Sequence, residues 1–449
     1  MGRIHAEGRP MSALWMFPAL IAVILTGFPV ALTMMALAVV FGLHSFGFEG
    51  LQYQFIQKIE EVATAQVLAA VPLFIFMGAM FEASGIASRL FDAIHMWTRR
   101  IPGGLAVGTV IMCVIFAATS GVVGATETVV GLLAIPAMLK YGYSKSLISG
   151  TICAGGSLGT IIPPSVLAVV IGPVANASVG NILLGMFIPG FMLAGAYIIY
   201  IVILCTLRPD YGPRIPRAPD EPALGAKLVL SAKVLVPPVV VIIAVLGSMM
   251  AGIATPTEAS ATGALGTVLL AIAYRRLTMA VLIESTMRTV RITAMILTIV
   301  ACGQMFAAVF VGSGGLQTLQ DFLRDFSVGR WGLLFLVMFI VFLAGFMLEP
   351  LVIILMVVPI TMPLIEAAGF DKVWFCVLFL VMLQTGYLTP PMAPSIFYLR
   401  GIAPPEITLR HMYTGIWPFI GLQLLVVALL VYFPKTVTWL PDAVLTGIR

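Results

Sequence analysis

The sequence predicts an all-α polytopic membrane protein, built as an inverted-topology repeat with two re-entrant helical hairpins and two broken helices. Three observations predict it. The 449 residues are 61% apolar and only 10% charged, whereas soluble chains carry about 25% charged residues. Glycine and proline landmarks recur at one fixed spacing. Lys and Arg gather in a few short connections, the distribution that marks cytoplasmic loops.

Composition also excludes functions. Net charge is +5, and the five Cys (113, 153, 205, 302, 376) stand singly in apolar stretches. With no CxxC pair, neither a disulfide framework nor a zinc site is expected. The four His (5, 44, 95, 411) are equally scattered, which disfavours a haem or metal centre and an intramembrane enzyme. No Walker loop, GxSxG or dinucleotide fingerprint is present, so no cofactor and no ATP hydrolysis by this chain is expected. Nothing suggests nucleic-acid binding. Arg3 and Arg9 precede an apolar run from Met11, as in a signal peptide. No small-residue cleavage site follows, and cleavage is not expected.

Internal repetition decides the architecture. Pro29 and Pro256 break the first apolar pair of each half. Gly142 and Gly369 open short polar turns. Gly159 and Gly386 stand four residues before Pro163-Pro164 and Pro390-Pro391. Each second member lies 227 residues after the first. The chain therefore divides into repeats at 1–227 and 228–449.

In the first repeat, scaffold helices and an amphipathic arm occupy about 11–85, with the arm at 47–65. Arg89, Arg99 and Arg100 follow. Segment 104–139 starts and ends beside cytoplasmic charge, with Lys140 and Lys145 after it. It holds about 36 residues interrupted at Thr119-Ser120-Gly121, enough for two half-length helices that reach mid-bilayer and return. A broken helix follows at about 146–175, then a basic, Pro-rich connection at 206–233.

In the second repeat, scaffold and arm cover about 234–312, with the arm at 275–291. The hairpin covers about 331–365, the broken helix about 373–400 and a C-terminal span about 412–433. Asp321, Asp325, Glu366 and Asp371 flank the second hairpin, so it opens outward, opposite to the first. This arrangement places the N-terminus outside, against the pull of Arg3 and Arg9.

Chemistry is expected where the backbone is loosened. Within lipid every N–H and C=O needs a partner, and a double proline removes donors. Such breaks survive only where they line a cavity or are buried in protein, and freed carbonyls can then bind Na⁺ and half-helix N-termini can face an anion. Candidate Na⁺ site 1 comprises Ser120, Gly121, Gly159, Thr160, Pro163 and Ser165. Candidate Na⁺ site 2 comprises Gly345, Glu349, Gly386, Thr389 and Pro390. Substrate candidates are Thr126, Glu127, Ser157 and Thr385. Glu127 and Glu349 are acids at membrane depth, where function is the default, or where each pairs with a nearby hydroxyl or base. Glu258, in Thr255-Pro256-Thr257-Glu258, reads as a helix cap. Gly104 and Gly108 read as a close-packing pair.

Several of these stretches resemble the large permease subunit of TRAP (tripartite ATP-independent periplasmic) transporters over almost the whole chain. They are Val71–Gly78, Thr119–Thr126, Gly159–Ser165, Thr255–Ala259 and Leu388–Pro391. Leu383-Gln384-Thr385 and Ile396–Gly401 look like the branch labelled for mannitol, chloroaromatic or 2-oxo-acid compounds. The resemblance implies a Na⁺-coupled secondary transporter of ion-transporter, elevator type in a bacterial inner membrane. It further implies a small four-helix membrane subunit and a periplasmic binding protein that delivers a small carboxylate. The branch usually has Asn where Met382 stands, Gly where Ala393 stands and a small polar residue where Gly386 stands. Pro350 after Glu349 is also unusual, so the second ion site is the more altered. The alternatives are a stand-alone sodium–anion symporter and a membrane scaffold without transport.

Overall fold

The computed structural model describes residues 11–121, 123–215, 223–325 and 329–447. Arg3, Arg9 and Arg217 lie outside the described residues, and with the first two lies the expectation about the N-terminus. In chain order the α-helices are α1 (Met11–Leu14), α2 (Met16–Ile24), α3 (Val30–Thr64), α4 (Ala70–Ala83), α5 (Ile86–Thr98), α6 (Gly104–Ser120), α7 (Val123–Lys140), α8 (Lys145–Ser157), α9 (Val166–Val174) and α10 (Val179–Leu207). The second half continues with α11 (Leu224–Met250), α12 (Pro256–Ala273), α13 (Met279–Gly312), α14 (Gly315–Asp325), α15 (Arg330–Ala344), α16 (Pro350–Ala367), α17 (Lys372–Leu388), α18 (Pro394–Ile402), α19 (Leu409–Tyr432) and α20 (Lys435–Gly447).

Local chemistry starts these helices. Thr255 and Glu258 form a reciprocal capping box at α12, with Pro256 in the first turn. Asp371 accepts from the Trp374 N–H at 2.7 Å to open α17. Among the described residues, seven helices are long and apolar enough to cross a membrane. Large apolar side chains such as Leu207, Ile243 and Phe335 stay exposed on the outside. Such a surface suits lipid and not water.

The two halves repeat one another. Val123 and Pro350 open α7 and α16, Lys145 and Lys372 open α8 and α17, and both pairs are 227 apart. The scaffold interlocks across the repeats: α3 packs on α13 and α4 on α12. Arg288 of α13 bonds Glu82 of α4 at 2.6 Å. The arm is continuous with α3 apart from a kink at Gly47, where φ is +68°. Its counterpart runs without interruption into α13.

The α6–α7 and α15–α16 pairs are the hairpins. Their first arms, α6 and α15, have 17 and 15 residues and are about 26 and 22 Å long, short of the ~30 Å hydrocarbon core, whereas α16 is among the seven helices long enough to cross. The broken helices are α8–α9 and α17–α18, and they form the centre of the molecule. Every residue of α8 from Leu147 to Ser157 is buried, as is α17 from Trp374 to Gly386.

Some features differ from the sequence reading. The charged stretches after the scaffold spans are amphipathic helices, α5 and α14, because their apolar residues recur at helical spacing. Helix α11 starts at Leu224, inside the expected connection, since Leu, Ala and Lys favour helix. A further helix, α20, follows the last span and packs on α10. The repeats are also packed unequally. Helix α6 is covered by α4, α5 and α10, whereas α15 packs on α16 and α17. A groove of about 500 Å³ remains between α15 and α19, lined by Trp331, Phe335, Met338, Phe342, Leu424 and Val431.

Candidate functional site

Four loosened stretches of backbone meet in two pairs. In the first broken helix, α8 ends at Ser157, tightens into a 3₁₀ turn over Leu158–Thr160 and resumes as α9 at Val166. The Pro163–Pro164 peptide is cis. Hydroxyls cover part of the interrupted hydrogen-bond ladder. Ser157 Oγ donates to Ala154 O at 2.8 Å, Thr160 Oγ1 to Ser157 O at 2.9 Å, and Ser165 Oγ to Thr160 O at 2.7 Å. These hydroxyls therefore present their lone pairs, and not their protons, to any cation nearby.

The first hairpin tip closes on this break. Gly121 ends α6 in the left-handed region at φ +59°, and a Cβ there would stand 2.9 Å from Pro164 O. Only glycine meets both demands without strain. Ser120 is the last residue of α6. The whole stretch from Leu147 to Gly172, with Gly159 and Pro163 inside it, is buried.

The second break follows the same plan with different chemistry. Helix α17 ends at Leu388, and Thr389 Oγ1 donates to Thr385 O at 2.6 Å. Thr385 Oγ1 donates to Met382 O at 2.7 Å. Pro390–Pro391 is cis, and Ala393 takes φ +33° before α18. The second hairpin tip lies directly against this break. A Cβ on Gly386 would stand 2.8 Å from Gly345 O, and Met392 N–H donates to Phe346 O at 3.3 Å. Glu349 starts α16 from an exposed position. Pro391 and Met392 are exposed too, so the second break meets the surface while the first is sealed.

One side chain joins the two halves. Gln384 Nε2 donates to Ser157 O at 2.9 Å and to Thr160 Oγ1 at 3.0 Å. Gln384 and Ser157 are themselves repeat mates, 227 residues apart, so the bond crosses the pseudo-two-fold axis. Gln423 of α19 approaches Ser157 Oγ at 3.4 Å, and Tyr197 of α10 adjoins both. All four residues are fully buried. Gln423 was detectable as a lone amide in an apolar span. Tyr197 had no sequence signal.

The substrate candidates lie deeper. Thr126, Glu127, Ser157 and Thr385 are all fully buried, and none presents surface to a ligand in this conformation. Thr126 and Glu127 belong to α7, whereas Ser157 and Thr385 sit at the breaks. Of the second candidate Na⁺ set, Gly345 and Gly386 are in direct contact. Glu349 is at its edge, with Tyr387 and Tyr398 among its electrostatic neighbours.

Residues 17–436 match the family model described as the tripartite ATP-independent periplasmic transporter, DctM component. The chain belongs to that family. Among its curated relatives is the C4-dicarboxylate TRAP transporter large permease protein DctM of Rhodobacter capsulatus, 28% identical over 96% of this chain and 99% of the relative. DctM of Vibrio cholerae is 31% identical over 83% of this chain and 85% of the relative. The ectoine TRAP transporter large permease protein TeaC of Halomonas elongata is 29% identical over 95% and 98%. The crystal structure of the Alcanivorax borkumensis YdaH transporter, described as having an unusual topology, superposes with a TM-score of 0.67. It covers 95% of this chain and 99% of that one at 13% identity, and supports the fold alone. In this DctM-family chain the two hairpin tips meet the two helix breaks at Gly121 and at Gly386.

Proposed function

We propose that this chain is the large membrane subunit of a Na⁺-coupled secondary transporter that imports a small organic acid. A periplasmic binding protein delivers the acid, and a small four-helix membrane subunit completes the complex in a bacterial inner membrane. The observation that carries this reading is the paired meeting of two hairpin tips with two helix breaks at carbonyl-rich backbone, the first buried and the second reaching the surface. Hard oxygen ligands from carbonyls and hydroxyls suit Na⁺. The proposed ion ligands are the two sets around Gly121/Thr160/Ser165 and Gly345/Gly386/Thr389. The absence of Lys and Arg from the candidate set leaves bound Na⁺ and helix N-termini to balance a carboxylate substrate. In an elevator-type cycle the hairpins and broken helices move together against the α3, α4, α12 and α13 scaffold.

Relatives carry names for C4-dicarboxylates, ectoine and sialic acid, so the acid is to be found by assay. Proteoliposomes containing both membrane subunits and the cognate binding protein are given succinate, ectoine or sialic acid under an inward Na⁺ gradient, or K⁺ in its place. Uptake that needs Na⁺ and the binding protein, and falls in Thr389→Ala, is the expected result. Uptake without the binding protein points to a stand-alone symporter. Uptake indifferent to Na⁺ rejects the coupling.

A further inference from the structure

Glu127 lies on α7 of the first hairpin and is 0% exposed. Neither carboxylate oxygen has a hydrogen-bond partner among the described residues. Gly156 of α8 packs so closely that a Cβ on it would overlap the Glu127 side chain. Ser395 of α18, also fully buried, places its hydroxyl near the carboxyl without a well-formed hydrogen bond, and that hydroxyl has no other partner among the described residues. Two unpartnered groups thus face each other across the seam between the first hairpin and the second broken helix.

A bare carboxylate here would lack both water and a counter-charge, at a cost of several kcal/mol or more. Among the described residues no base acts on Glu127 to supply the charge. The ionisable groups around Glu127 are Cys113 of α6, Cys153 of α8, Tyr387 of α17 and Tyr398 of α18, with Glu349 beyond the tyrosines. Helix α5, which also packs on α7, carries Arg89, Asp92 and His95, and none of these is an electrostatic neighbour of Glu127. The tight contact with Gly156 leaves little space for a hydrated or multi-ligand cation on that side.

The fold does not require an acid at this place. The repeat mate of Glu127 is Ile354, and that of Ser395 is Ala168; both are fully buried, where α16 packs on α9. The crossing of the second hairpin with the first broken helix thus carries two apolar residues at the matching positions. The polar pair where the first hairpin meets the second broken helix is therefore an addition to the scaffold.

We propose that Glu127 is a proton-binding site, and that its proton travels with the substrate. With the seam open to the outer solution, the carboxylate takes H⁺ from hydronium and an O–H bond forms. The neutral acid then closes against Ser395 and Gly156. When the seam opens to the cytoplasm, the proton returns to water there. This rests on the transporter reading, but its first test does not.

Infrared difference spectra of the purified chain in lipid nanodiscs, between acidic and alkaline buffer, read the carbonyl stretch of protonated acids. The wild type is expected to show a buried protonated-acid band that is lost in Glu127→Gln. Should that variant fail to fold, Ser395→Ala keeps the acid, and its band is expected to persist at a shifted frequency. Spectra in which neither substitution changes any acid band overturn the site. The second test loads proteoliposomes with a pH dye and supplies succinate, ectoine or sialic acid. Acidification of the lumen that accompanies uptake in the wild type and is lost in Glu127→Gln supports coupling. The infrared band with uptake but no acidification overturns coupling. The band with no uptake of any probe counts against the transporter reading and leaves the proton site standing.

Discussion

Gly386→Ala is the sharpest probe of the second hairpin contact. Gly386 lies in helical backbone, so alanine brings no conformational penalty of its own; its methyl group would meet Gly345 O at 2.8 Å and Gly345 Cα at 2.9 Å. Ordinary contact begins at 3.4 Å, so the hairpin tip must retreat by about 0.6 Å, and it is backbone that must move. Overpacking of this kind costs about 1–3 kcal/mol. Placed on the closed arrangement alone, that cost shifts the balance toward an open tip by about 5–150-fold. If Na⁺ binds where tip and break meet, the Na⁺ concentration for half-maximal uptake rises by a comparable factor. Gly195→Ala in α10 is the control, because a Cβ there meets nothing within 4 Å; it is expected to be neutral or to stabilise by about 0.5–1 kcal/mol. A Gly386→Ala protein with wild-type Na⁺ dependence would refute the reasoning that this contact forms part of the ion site.

Other substitutions separate the remaining contacts. Gln384→Leu removes one of the two side-chain donors to Ser157 O, the other being Thr160 Oγ1, and the amide donor to Thr160 Oγ1, and is expected to cost about 1–3 kcal/mol in denaturation assays. Combined with Thr160→Ala, its effect should be less than additive, because the two share a bond. Arg288→Ala breaks an ion pair whose partners are 40% and 27% exposed, so a stability loss under about 1 kcal/mol is expected; a larger loss would mean that the scaffold depends on it. His95, on the amphipathic α5 outside the candidate spans, is pushed down to about 4 by burial and by Arg99. The unfolded chain takes up that proton near pH 6.5, so stability is expected to fall as pH drops from about 6.5 to 4. His95→Gln should flatten that part of a thermal-stability profile against pH.

The sequence carried the repeat because proline and glycine are the residues that cannot be moved without changing the backbone. Pro163-Pro164, Pro390-Pro391, Gly159 and Gly386 punctuate long apolar runs, and the helix ends follow them. Glu258 was legible as a cap because Thr255 stands three residues before it. The Gly104/Gly108 spacing was legible as close packing, and both glycines abut Thr98 of α5. The contact partners were not legible. That Gln384 reaches across the axis to its own repeat mate depends on how two helices cross, and Tyr197 has nothing in its neighbourhood to mark it. The unequal packing of α6 and α15 was hidden for a different reason: a duplicated sequence encodes two equivalent hairpins, and only one conformation at a time can be drawn from it. Glu127 was read as an intramembrane acid, but that it has no hydrogen-bond partner among the described residues, and that Ile354 and Ala168 stand at the matching positions of the opposite crossing, needed coordinates.

Binding of radioactive sodium to the purified chain in detergent tests the account most directly, since it needs neither substrate nor partner subunits. The account predicts saturable binding that unlabelled Na⁺ displaces and K⁺ does not, weakened by Gly386→Ala and by Gly121→Ala, and retained in Gly195→Ala. Absence of sodium binding, or binding that both glycine substitutions at the hairpin contacts leave unchanged, would contradict it.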